Sequence, residues 1–202
     1  GGGGLINSIT IAGTVAVVTA AVSKHGVEAL AGYGLGSRLE IIITPLVFGI
    51  GSVLTASVGI NVGAQQLPRA KMIAWTGEFI SFCVVGLLGA TVTIFPDIWL
   101  NNFESSSLIR DYATSYLIIV APFYCFFAAG QTLYFASQGL GKIFYPVIVG
   151  IIRLLSVSII CYYVTIYDLS LNFVFYGVSF GLLATGLGLW MCMLGPDWKK
   201  QI

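Results

Sequence analysis

Residues 34–71, GLGSRLEIIITPLVFGIGSVLTASVGINVGAQQLPRAK, decide the fold of this chain. The stretch opens on Arg38-Leu39-Glu40 and enters a mostly apolar run interrupted by Pro45, Gly49 and Gly51. It closes on the polar segment Asn61–Gln66, with Arg69 and Lys71 behind it. A run of roughly 18 or more apolar residues is long enough to cross a bilayer as a helix. Ionisable groups at the end of such a run are costly in hydrocarbon and require a partner or a wet cavity. The stretch therefore reads as a working helix of a membrane protein.

The rest of the chain agrees. Hydrophobic residues make up 57% of the 202 and charged residues only 8%, with a mean hydropathy of +0.96. A soluble domain carries about 25% charged residues, so this one lacks the polar side chain to cover a water-facing surface. Lipid has to cover it. The net charge of +1 offers nothing to a nucleic acid. Cys83, Cys125, Cys161 and Cys192 stand singly in four apolar runs with no Cys-x-x-Cys pair, so they read as small buried hydrophobes rather than metal or redox groups. The chain starts GGGG without a methionine or a basic leader segment, which reads as a fragment, or the second half of something longer.

Six apolar runs follow one another: 5–22, 39–60, 73–95, 112–136, 143–166 and 173–194, each long enough to span as a helix. The fold class expected is an all-α polytopic bundle of six transmembrane helices. Six spans bring both ends to one side. Arg69, Lys71, Lys142, Lys199 and Lys200 fall on that side, whereas Lys24, Arg38 and Arg110 fall on the other, mixed with Glu28, Asp97, Glu104 and Asp111. Lysine and arginine accumulate on the cytoplasmic face. The expectation is a multi-pass protein of the cell inner membrane or plasma membrane with both ends cytoplasmic. Pro45 and Pro122 fall within spans two and four, where each removes a backbone hydrogen bond and permits a kink.

Three ionisable residues inside the spans stand out. Glu40 reads either as a cavity-facing carboxylate that exchanges a proton or binds a cation, or as the fixed partner of Arg38 or Arg153. Arg153, ten or so residues into the fifth span, reads as structural, needing Glu78 or Glu40 as its counter-charge. Glu78 reads as a snorkelling group or a partner of Arg153. Arg38, Glu78 and Arg153 are thus the candidates for structural ion pairs. In the fourth span Gln131, Tyr134 and Gln138 share one helical face. That stripe suits a cavity for organic cations, or equally hydrogen bonding between helices. Asn7, Thr10 and Thr14 form a similar stripe in the first span. Enzyme readings fail on inventory: the one histidine, His25, lies in a link, and no metal motif or phosphate loop is present. No cofactor and no metal are expected.

Two long motifs carry a family resemblance. Residues 33–77, YGLGSRLEIIITPLVFGIGSVLTASVGINVGAQQLPRAKMIAWTG, resemble the second half of multidrug and toxic compound extrusion (MATE) transporters. So do residues 119–142, IVAPFYCFFAAGQTLYFASQGLGK, followed by YPVIVGIIR at 145–153. The resemblance implies a fold of twelve helices in two six-helix lobes, of which residues 1–202 would be the C-terminal lobe, its N-terminal lobe missing from this chain. It further implies a secondary antiporter exporting cationic or amphipathic drugs and toxic compounds in exchange for protons or sodium ions. The implied partners are a small cationic substrate, the lipid bilayer and the other lobe. Some members carry a cation-binding acid in the seventh and tenth spans. Here residues 5–22 contain none, and Phe127 and Ala128 stand before Gln131, so either ions couple through this lobe with Glu40 as the candidate, or coupling lies in the missing N-terminal lobe and this half is mainly substrate wall and scaffold. Asn7, Gln131, Tyr134 and Gln138 are the substrate-cavity candidates. The rival readings are a lipid-linked saccharide flippase of the same broad class, or a self-associating six-span channel or structural subunit.

Overall fold

The computed structural model describes residues 2–195 and 198. Within them every long element is a helix: α1 (Gly2–Ser23), α2 (Val27–Gly63), α3 (Leu67–Ile94), a short α4 (Pro96–Leu100), α5 (Ser107–Val120), α6 (Tyr124–Leu140), α7 (Phe144–Ile166) and α8 (Leu171–Leu194). A single 3-10 turn, Ala121–Phe123, joins α5 to α6. Taken as one unit across that turn, the chain has six helices long and apolar enough to cross a membrane. It is a multi-pass membrane bundle. Lys199 and Lys200, which entered the charge comparison between the two faces, lie outside the described residues.

Connectivity places the start of α1 and the end of α8 at one end of the bundle, here the terminal end, with the turns at 64–66 and 141–143. The links at 24–26, 95–106 and 167–170 form the far end. The boundaries differ from the sequence reading most in α2, which begins at Val27 and not at Leu39. Residues 27–38 are helical although Gly32, Gly34 and Gly36 weaken local propensity. Tertiary packing wins: an added Cβ on Gly36 would come 2.6 Å from the Tyr116 ring and one on Gly32 would come 2.5 Å from Tyr112 Cβ. The two glycines cut a groove in α2 that α5 fills, so bare backbone becomes a helix–helix contact. Pro122 has the effect read from sequence, breaking the fourth span into two helices at the 3-10 turn.

The core falls into two apolar clusters stacked along the bundle. The far-end cluster joins Val18, Tyr33, Ile43, Leu100, Tyr116, Val157 and Phe175. The terminal-end cluster joins Val58, Ala74, Leu133, Tyr134, Leu189 and Trp198. α6 is the central helix, packed on α2, α3 and α8, and most of its side chains are buried. Its end is closed by Gly141 at φ +78, whose amide bonds Gln138 O while that of Lys142 bonds Ser137 O, the pairing that terminates many helices. α1 leans mainly on α7 and touches α2 only lightly. Between α1 and α2 the bundle is open.

Candidate functional site

That opening is a cavity of about 650 Å³, within the 300–1,000 Å³ typical of small-molecule sites. Its walls are mostly apolar, with Val15 and Val18 from α1, Ile41 from α2 and Leu182 from α8. Hydroxyls of Thr14, Thr19, Ser37 and Thr44 interrupt them. Three charged side chains also line it: Arg38, Glu40 and Arg153. Arg38 and Glu40 come from α2 and Arg153 from α7.

Glu40 is positioned by the groove just described. Gly32, Gly36 and Glu40 recur every fourth residue and so share one face of α2. The glycines draw α5 in, and Tyr116 then lies against the carboxylate and donates its hydroxyl to Glu40 Oε1. Tyr124, on the other side of the 3-10 turn, donates to the same oxygen at 3.3 Å. Among the described residues Oε2 has no protein hydrogen bond. Tyr116 is itself clamped edge-on between the rings of Tyr33, at 5.4 Å, and Phe175, at 5.1 Å. The carboxylate is therefore held from one side and left free on the other.

Arg38 is exposed, with its guanidinium 5.6 Å over the centre of the Phe103 ring, a cation–π distance. Phe103 packs on Trp99 at 5.3 Å, and the Trp99 indole donates to Leu35 O at 3.0 Å. The far-end loop is thus pinned to α2 one turn before Arg38. Arg153 is the opposite case. It is 3% exposed, and Nη2 donates one long bond to Thr10 Oγ1 at 3.5 Å. Its Nε has no partner among the described residues.

A sequence profile of the MatE family matches residues 5–164, most of the chain. The chain belongs to the MatE family. It is 29% identical to the FAD transporter of Shewanella oneidensis over 122 residues, 58% of this chain and 27% of that protein. It is 26% identical to the probable multidrug resistance protein NorM of Thermotoga maritima over 129 residues, 64% of this chain and 28% of that protein. Among solved structures, the MATE transporter ClbM in complex with Rb+ superposes with a TM-score of 0.87 at 21% identity, covering 98% of this chain and 47% of that one. The chain thus spans about half the length of the solved structure it matches.

In this MatE chain the ion pairs expected of Arg38, Glu78 and Arg153 are not formed. The salt bridge among the described residues is Arg110–Asp97 at 2.6 Å, in the far-end loop. Glu78 is 6% exposed and accepts from the Trp190 indole at 3.0 Å, so it neither snorkels nor meets Arg153. Asn7 and Gln131 find each other: Asn7 Nδ2 donates to Gln131 Oε1 at 3.1 Å across the α1–α6 contact. Tyr134 is buried in the terminal-end cluster, and Gln138 is half-buried beside Gly4. None of Asn7, Gln131, Tyr134 and Gln138 lines the cavity between α1 and α2.

The sequence reading missed Tyr33, Tyr116 and Tyr124. The signal was present in the fourfold spacing of Gly32, Gly36 and Glu40, which marks a close-approach face ending in a carboxylate. Among the described residues no three His, Cys, Asp or Glu side chains converge in a metal-holding group.

Proposed function

We propose that this MatE chain is the C-terminal six-helix lobe of a secondary antiporter that exports cationic or amphipathic compounds in exchange for protons or sodium ions. Glu40 is the coupling carboxylate. The observation that carries this reading is the geometry of Glu40, with Oε1 occupied by two tyrosine hydroxyls and Oε2 unpartnered on the wall of an apolar cavity. Such a carboxylate can hold a proton, or a cation, in alternation. The tyrosines donate to the charged form and so stabilise it once the proton leaves. Substrate and coupling ion then compete for one negative charge, which links their movements.

The relatives support the coarser part of this reading, since one is named an FAD transporter and the other a probable multidrug resistance protein. A second six-helix lobe would face this one, and alternating access would be a rocking of the two. Both ends of this lobe would be cytoplasmic. A membrane-impermeant maleimide added to intact cells should then label Lys24→Cys and spare Lys142→Cys.

The decisive experiment uses the full-length protein in proteoliposomes with an imposed proton or sodium gradient and ethidium as the cationic probe. Wild type should move ethidium against its gradient, and Glu40→Gln should move none while reconstituting equally well. Undiminished gradient-driven transport by Glu40→Gln would remove the coupling role.

A further inference from the structure

We propose that the cavity contains an oxyanion site at Arg153, which receives a phosphate or carboxylate group. A guanidinium has five N–H donors in a rigid fork and stays charged in proteins. Burying such a charge without a counter-ion is strongly unfavourable, so buried arginines are ordinarily paired. Arg153 is not. It is 97% shielded by the 3% exposure above, its Nε is unpartnered, and its one bond to Thr10 is long.

The position is built rather than accidental. Gly181 makes room for Val157, whose Cγ2 would lie 2.6 Å from an added Cβ, and the aliphatic stem of Arg153 packs beside it, with Cγ at 3.4 Å. Thr10 holds Nη2 from α1. Arg153 and Gly181 both line the cavity, so the unpaired guanidinium sits in its wall. The Nε edge of a guanidinium matches two oxygens of one phosphate or carboxylate, and such charge-assisted pairs are short and strong. The carboxylate that shares the cavity, Glu40, is already engaged by Tyr116 and Tyr124 and forms no ion pair with Arg153. With Arg38 also on the wall, cations outnumber anions there two to one. The group received at Arg153 is therefore of the opposite sign, separate from the cation read at Glu40, and is carried by a soluble solute or by a lipid headgroup.

This site is independent of the coupling role of Glu40, and its test does not use transport. The full-length protein is placed in nanodiscs of phosphatidylcholine, and thermal unfolding is followed as inorganic phosphate replaces chloride at constant ionic strength. Wild type should gain stability saturably. Arg153→Met should need roughly ten- to hundredfold more phosphate for the same gain. Arg153→Lys keeps the charge without the fork; it should fall between the two, and it serves alone if the methionine variant does not fold. If a lipid headgroup is the occupant, phosphatidylglycerol in the nanodisc should stabilise wild type, abolish the phosphate effect, and do neither in the Arg153 variants. No gain from phosphate or phosphatidylglycerol over chloride and phosphatidylcholine, or equal gains in wild type and the Arg153 variants, overturns the site.

Discussion

The two membrane carboxylates, Glu40 and Glu78, are treated differently by the same bundle. Glu78 sits in the terminal-end half, where the helices close on one another. It is almost fully covered and bonded to the Trp190 indole, itself wedged against Phe82 and Phe126. Glu40 sits in the half where α1 leans away from α2, and its free oxygen has an open wall. Around Glu78, polar groups satisfy each other locally: Asn7 with Gln131, and Thr132 with Ser81 at 2.9 Å. Around the cavity, Nε of Arg153 has no partner among the described residues, and both hydrogen bonds that Glu40 accepts there fall on Oε1. A buried polar group that is paired holds helices together, and one left unpaired at a cavity is available to a solute.

Exchanging each carboxylate for its amide tests the contrast most directly. Glu40→Gln should eliminate gradient-driven transport, whereas Glu78→Gln keeps an acceptor for Trp190 and should retain most of it. Equal losses would show that the two halves do not differ in role. Next in size is the groove that positions Glu40. Gly36→Ala should destabilise the protein by about 1–3 kcal/mol, since its Cβ meets the Tyr116 ring at 2.6 Å. Gly34, two residues away, has nothing within 4 Å of an added Cβ. Gly34→Ala should be neutral or stabilise by up to about 1 kcal/mol. Thermal unfolding of the two variants in one lipid reads both.

In the closed half, Trp190→Phe strands the Glu78 carboxylate and should cost about 1–3 kcal/mol of stability, with the coupling ratio of ions to substrate unchanged. A changed ratio would bring Glu78 into the transport cycle. Ser81→Ala is the mildest change. Thr132 retains its bond to Ala128 O at 2.7 Å, and the loss should be near 0.6 kcal/mol, the average for hydrogen bonds between membrane helices.

The span count and the family were legible because both depend on apolar length and on contiguous motifs. The start of α2 was not. Gly32, Gly34, Gly36 and the charges of Glu28 and Arg38 lower its hydropathy and propensity, and only the fit of α5 into the glycine groove makes residues 27–38 a helix. Glu40 was legible as a cavity group because a carboxylate within an apolar run has few other destinations. The stripe of Gln131, Tyr134 and Gln138 does not line the cavity between α1 and α2, and Gln131 instead bonds between helices, the other reading the stripe allowed. A polar face on a central helix meets other helices, and α6 is surrounded by α2, α3 and α8. Arg153 shows the converse. Charge logic demanded a carboxylate partner, and among the described residues the fold supplies only Thr10.

The length of α2 has a mechanical consequence. Its 37 residues make a rod of about 55 Å, against a hydrocarbon thickness of about 30 Å. A tilt of even about 40° leaves the rod longer than the hydrocarbon is thick, so it reaches into both headgroup layers. Glu40 lies about 35 Å along it from Gly63, and Pro45, which cannot donate to the ladder, is the compliant point between them. α2 is a lever with a built-in flexure. Any motion at Glu40 would reach the terminal-end surface of the membrane only through that flexure.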